Sequence, residues 1–153
     1  MPATVAEEAI QTFEITKDER IRASIDIVFE TLLEQLGPLN ERGDGVPMPM
    51  KIEPWPGGRW YRDLGDDNGH LWGHVQAIKK PTLLEICGPL MMSLAVANNV
   101  QYRLTAEGNE TRLQFAHRGI GPIPAQQREG MHRGWGMIYD RIRAAAEKKE
   151  NKA

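Results

Sequence analysis

The sequence predicts an α+β domain: a curved antiparallel sheet of six or seven strands wrapped around a long C-terminal helix. Two patterns carry that prediction. Between residues 51 and 117, short segments of apolar and polar residues follow one another with only turn residues between them. Parallel strands need a crossover of a dozen or so residues, so segments this close pair antiparallel. From residue 125 onward the period changes, and Met131, Trp135, Ile138 and Ile142 form one apolar stripe at helical spacing. With 153 residues, 41% hydrophobic and 26% charged, the chain can bury one sizeable core.

Residues 1–12 read as a loose leader, 13–149 as one domain, and 150–153 as a frayed tail. A first strand over 13–25 follows from the alternation of Phe13 and Ile15 with Ile21, Ala23 and Ile25 beyond a charged interruption. Asp26 is placed to cap a helix over 27–36, which Gly37-Pro38 stops. Residues 38–49 are loop by composition, rich in Gly and Pro. Strands then follow over 51–55, 59–64, 70–78, 83–87, 99–106 and 111–117. Their turns are Pro56-Gly57-Gly58, Gly65 through Gly69, Lys80-Pro81-Thr82 and Glu107 through Glu110. The sheet is expected to close around a final helix over 125–149. The stretch 88–98 has neither a strand nor a helix period, although Pro89-Leu90-Met91-Met92-Ser93-Leu94 is largely apolar.

Bulk properties exclude several classes. A formal net charge of -2 provides no basic face for nucleic acid. The single cysteine, Cys87, sits in an apolar run and reads as a buried thiol, with no internal disulfide. The first residues lack a basic and an apolar region, so no signal peptide is expected, and no apolar run is long enough to span a membrane. The cytoplasm is the expected location.

Three stretches carry a family resemblance. They are the hairpin Glu53-Pro54-Trp55-Pro56-Gly57-Gly58-Arg59-Trp60; Gly73-His74-Val75 followed by Lys80-Pro81-Thr82-Leu83-Leu84; and Gly134-Trp135 with Tyr139-Asp140-Arg141-Ile142. In this order they resemble the START-like (SRPBCC, helix-grip) superfamily, in its branch similar to the C-terminal domain of the heat-shock chaperone ATPase activator (Aha-type). The resemblance runs from about Phe13 to Ala146. It implies the helix-grip fold and a cavity between sheet and helix. Members of the superfamily bind lipids, polyketides or hormones, and a few catalyse cyclisation or hydrolysis. Many relatives carry a proline before the first helix and a tryptophan pair after it. Here Ser24-Ile25-Asp26-Ile27 and Gly37-Pro38-Leu39-Asn40 stand instead, so the cavity mouth is expected to differ. No separate chaperone-binding domain precedes the domain in this sequence, and chaperone contact is not the leading expectation.

The residues expected to line the cavity are Trp60, Trp72, His74, Met91, Met92, Tyr102, Phe115, His117, Met131, His132 and Trp135. For the aromatics, a place in the core is the competing reading. Met91 and Met92 are the better lid candidates, because flexible thioethers adapt to varied guests. Leu90, Met92 and Leu94 could equally plug the mouth of the sheet or meet a second subunit in a homodimer. His70, Trp72 and His74 are expected to share one strand face. The two histidines would then be roughly 13 Å apart, too far to share a metal ion. No metal and no cofactor are expected. His117 and His132 could face each other across the cavity as acid, base or hydrogen-bond donor. On 59–64, Arg59, Tyr61 and Asp63 share one face and Trp60, Arg62 and Leu64 the other; Trp60 and Leu64 are favoured inside. No serine elbow, phosphate-binding glycine loop or working carboxylate pair is present.

The leading functional expectation is a binding module for a small apolar molecule. A cofactor-free hydrolase or cyclase using His74, His117 or Tyr61 is one alternative, and a chaperone-associated interaction domain is another.

Overall fold

The computed structural model describes residues 2–153. Nine elements follow in chain order: β1 (Gln11–Ile21), α1 (Ile25–Leu36), β2 (Lys51–Ile52), β3 (Arg59–Gly65), β4 (Asn68–Lys79), β5 (Leu83–Gly88), β6 (Ala97–Glu107), β7 (Glu110–Gly121) and α2 (Ala125–Lys152). The strands form one antiparallel sheet in the order β1-β7-β6-β5-β4-β3-β2. The architecture is the α+β arrangement predicted, with seven strands curved about the long final helix. The sheet does not close, however. It ends at β1 on one side and at the two-residue β2 on the other, and these do not pair.

Several boundaries move for local reasons. β1 takes in Gln11 and Thr12 and stops at Ile21, because Ser24 already occupies the N-cap of α1. Asp26 therefore lies in the first helical turn and complements the helix dipole rather than capping it. Ala23 is buried, and its carbonyl accepts from Thr111 Oγ at 2.8 Å, which fixes the strand-to-helix corner. α2 stays helical to Lys152, and Lys149 reaches Glu34 of α1 at 2.8 Å. The segment expected as a strand over 51–55 keeps only Lys51–Ile52, since Glu53 to Gly58 form the turn.

The hairpins follow their turn chemistry. Asp66 and Asp67, with φ of 53° and 61°, make the two-residue turn between β3 and β4 that suits the strand twist. β6 and β7 pair over their full length from Ala97↔Ile120 to Glu107↔Glu110. Along β7 burial alternates strictly, placing Thr111, Leu113, Phe115 and His117 under α2. The core lies between this face and the two helices. Tyr102, Phe115 and Trp135 stack in sequence with ring centroids 5.0 Å apart. Tyr139 donates its hydroxyl to the Leu113 carbonyl.

Trp60 is fully buried, and its indole donates to the Leu36 carbonyl at 2.8 Å. Leu64, expected inside with it, is 63% exposed. The hairpin tip runs past the edge of the core, and a register shift between Asp63 and Gly65 breaks the alternation there.

Candidate functional site

The stretch without a period, 88–98, is tied down by backbone bonds rather than by regular structure. β5 ends against Gly73 and Gly88, where the two strands approach so closely that a Cβ on Gly73 would sit 2.5 Å from the Cys87 carbonyl oxygen. The Leu90 N–H then donates to the Trp72 carbonyl at 2.7 Å, with Leu90 at φ 58°. Leu90 and Met92 are buried by this fold-back, while Met91 stays 37% exposed.

The segment 38–49, expected to be plain loop, is ordered by its own bonds. Met48 N–H donates to the Asn40 carbonyl at 2.8 Å, and Met50 N–H to the Gly37 carbonyl at 2.9 Å. A single bridge joins Glu41 to Pro47. Asn40 is thereby buried and Met48 is carried to the side of α2.

Between these segments and α2 lies a cleft of 470 Å³. Its walls are one face of α2 (Gln127, Gly130, Met131, Gly134, Trp135, Ile138 and Arg141), the 40–48 segment, and Met91 with Met92; Trp72 reaches it from β4. The lining is predominantly apolar. Of the seven methionines in the chain, Met48, Met91, Met92, Met131 and Met137 line it. Gly130 and Gly134 face open space where a side chain would stand. Glycine in a helix interior costs roughly 1 kcal/mol relative to alanine, so the helix forgoes stability along the cleft wall.

Of the residues expected at the cavity, Trp72, Met91, Met92, Met131 and Trp135 border this cleft. The others stand elsewhere, each for a definite reason. Trp60 packs edge-on to Trp72 beneath α1. Tyr102 and Phe115 are sealed under α2, and burial raises the Tyr102 hydroxyl far above its ordinary pKa. His74 is exposed, because the register shift opposite Trp60 and Tyr61 inserts a residue into β4 and turns His74 away from the face of Trp72. His70 remains beside Trp72 and accepts its indole N–H at 3.1 Å. His132 is exposed on the far side of α2, in a groove with Phe13 and Glu14.

His117 does not face His132. It is fully buried, receives the Trp135 indole N–H on Nδ1 at 2.8 Å, and holds Asn98 Oδ1 from Nε2 at 2.7 Å. An indole can only donate, so Nδ1 carries the lone pair and Nε2 the proton. Burial pushes the imidazole down to about 4. This histidine is a neutral structural link. Tyr61, the third acid–base candidate, lies under the Arg59 guanidinium at 4.5 Å, and Arg59 in turn pairs with Glu53 at 2.8 Å. The Arg59 bond holds Glu53 down to about 2. None of His74, His117 and Tyr61 lines the cleft.

The polar groups that do line it are few. They include Asn40, Glu41, Arg42 and Arg141. Arg42 is bound to Asp44 at 2.6 Å. Arg141 uses Nε to hold Gln35 of α1 at 3.2 Å. Sequence reasoning missed Asn40, Met48 and Arg141, because only the fold-back of 40–48 onto α2 brings them together. Among the described residues no group of three or more His, Cys, Asp or Glu side chains is placed to hold a metal ion. No helix among them is long and apolar enough to cross a membrane.

Comparison with known proteins adds a family and a set of folds. The family described as "Activator of Hsp90 ATPase homolog 1-like protein" matches residues 22–147. No curated protein matches the sequence. Among solved structures, the chain is similar to an uncharacterised protein of Rhizobium leguminosarum, with a TM-score of 0.72 at 15% identity over 94% of this chain and 99% of that one. It is similar to CalU16 of Micromonospora echinospora, with a TM-score of 0.59 at 20% identity over 90% and 81%. It is also similar to the Aha1 dimer of Colwellia psychrerythraea, with a TM-score of 0.64 at 12% identity over 88% and 96%. At these identities the likenesses establish the fold alone.

Proposed function

Because the chain belongs to the Activator of Hsp90 ATPase homolog 1-like family, we propose that it acts as a binding module, holding a small, mainly apolar molecule in the cleft between α2 and the segments 40–48 and 91–92. One observation carries the reading. Five methionines from three separate stretches of chain converge on one apolar space of 470 Å³, beside helix glycines that leave it open. That volume is in the range of small-molecule sites, and thioethers are the side chains that best adapt to an irregular guest. The hydrolase or cyclase alternative has less support, since His74, His117 and Tyr61 all stand outside this space. A second copy of the chain is a further partner to test, because one solved neighbour is a dimer in solution.

Titration with the neutral apolar dye Nile red tests the reading directly. Saturable binding is expected in the intact protein, together with a co-purified small molecule in its native mass spectrum. Failure of Nile red to bind, with the fold intact by circular dichroism, would remove the proposal.

A further inference from the structure

Two residues that line the cleft each carry a buried polar atom without a hydrogen-bond partner among the described residues. Asn40 is 2% exposed, and its Oδ1 has no hydrogen-bond partner. Arg141 has one guanidinium nitrogen, Nη2, that is buried and also without a partner. Both residues line the same apolar space. A buried polar atom without a partner costs on the order of 1–3 kcal/mol, more when the group is charged. Native proteins retain such atoms chiefly where something else completes them.

The charges around the cleft single out Arg141. Arg42 is neutralised by Asp44 at 2.6 Å. Among the described residues, Glu41 lines the cleft but makes no ion pair with Arg141, whose side chain bonds there to the uncharged Gln35 amide alone. The guanidinium is therefore a partly buried cation without a counter-ion among the described residues. Its fixed fork matches a carboxylate in shape as well as in charge. Asn40 offers an amide on the same cleft; no hydrogen bond fixes which way its oxygen and nitrogen point, so with a carboxylate present the amide can turn its N–H₂ toward it.

We propose that the molecule held in the cleft is an apolar carboxylic acid, its carboxylate bound by Arg141 and Asn40 and its hydrocarbon body lying among Met48, Met91, Met92 and Met131. This rests on the reading of the cleft as a ligand site and adds the chemical class of the ligand. The helix glycines fit the same picture. Gly134 stands two turns before Arg141 on the face of α2 that lines the cleft, and its bare backbone leaves room for the body of a ligand whose head group sits at Arg141.

Decanoate and decanol, which share an alkyl chain and differ in head group, test this by calorimetric titration at neutral pH, with Nile red displacement as the second readout. The wild type should bind decanoate about 10-fold more tightly than decanol, the usual gain of a charge-assisted hydrogen bond. Arg141→Met should abolish that ratio, read as decanoate against decanol within the same variant so that any change in the apolar wall acts on both alike. Should Arg141→Met not fold, Arg141→Lys and Asn40→Leu serve instead, each lowering the ratio at least about threefold. Equal binding of decanoate and decanol by the wild type overturns this inference but leaves the apolar cleft standing. So does an unchanged ratio in Arg141→Met, or in both replacement variants. If decanol, decanoate and Nile red all fail to bind, the cleft reading falls and this inference falls with it.

Discussion

The indole N–H of Trp135 on α2 donates to Nδ1 of His117 on β7 at 2.8 Å, and through this bond the final helix is keyed to the sheet. The link continues from His117 to Asn98 on β6 at 2.7 Å, and from the Asn98 amide to the Gly88 carbonyl at the end of β5 at 3.0 Å. One polar chain thus runs from the helix across three strands. Each donor has an acceptor only while His117 stays neutral, because a second proton on the ring would face the indole N–H.

This geometry fixes a pH dependence. Burial depresses the folded-state pKa of His117 from its ordinary 6.5 to about 4. Between those values the unfolded chain binds the proton and the native one does not, so stability falls as pH drops through that window and levels off below it. At 1.36 kcal/mol per pKa unit, the contribution lost is about 3 kcal/mol. Urea unfolding of wild type and His117→Gln across this range should show the difference between them shrinking toward pH 4. A difference that stays constant would mean that His117 titrates normally in the native state.

Trp135 contributes both bulk and a hydrogen bond. It is 3% exposed in the stack with Phe115, so Trp135→Ala should destabilise by about 3–5 kcal/mol. Trp135→Phe keeps a ring but leaves His117 Nδ1 unpaired, and should lose about 1–3 kcal/mol. Thermal or urea melts of the two variants provide the check. An unchanged midpoint in Trp135→Ala would place the stripe in solvent.

The helix glycines predict opposite effects on stability and binding. A Cβ at Gly130 or Gly134 meets nothing within 4 Å. The double variant Gly130→Ala/Gly134→Ala should therefore gain about 1–2 kcal/mol from helix propensity. Gly134→Leu should fill the cleft and weaken Nile red binding without unfolding the protein. Full-strength dye binding by Gly134→Leu would show that the dye sits somewhere else.

At the β4–β5 contact the sign is reversed. Gly73→Ala brings its Cβ to 2.5 Å from the Cys87 carbonyl oxygen, a backbone atom that cannot rotate away. Overpacking of this kind costs about 1–3 kcal/mol. Because the Trp72 carbonyl next to it anchors Leu90, the same variant should loosen the Met91-Met92 wall and raise its proteolytic sensitivity. A melting midpoint at the wild-type value would show that the two strands can part without penalty.

Much of the fold was legible because its signals are local. The turns at Pro56-Gly57-Gly58 and Gly65 through Gly69, the alternation along β7 and the stripe Met131, Trp135, Ile138 and Ile142 each lie within a dozen or so residues. Periodicity also placed Trp60 inside, where the structure buries it. The site was less legible. Alternation cannot register an inserted residue, so His74 was expected beside Trp72 until the bulge in β4 turned it outward. Composition marked 38–49 as loop but could not show that backbone bonds from Met48 and Met50 fold it against α2 and bury Asn40. The sequence by itself determined which residues are apolar, which turn, and which run as strand or helix. Only the tertiary structure decided that Asn40, Met48, Met91, Met131 and Arg141 share one cleft, because that meeting depends on packing between segments up to about a hundred residues apart and on no local period.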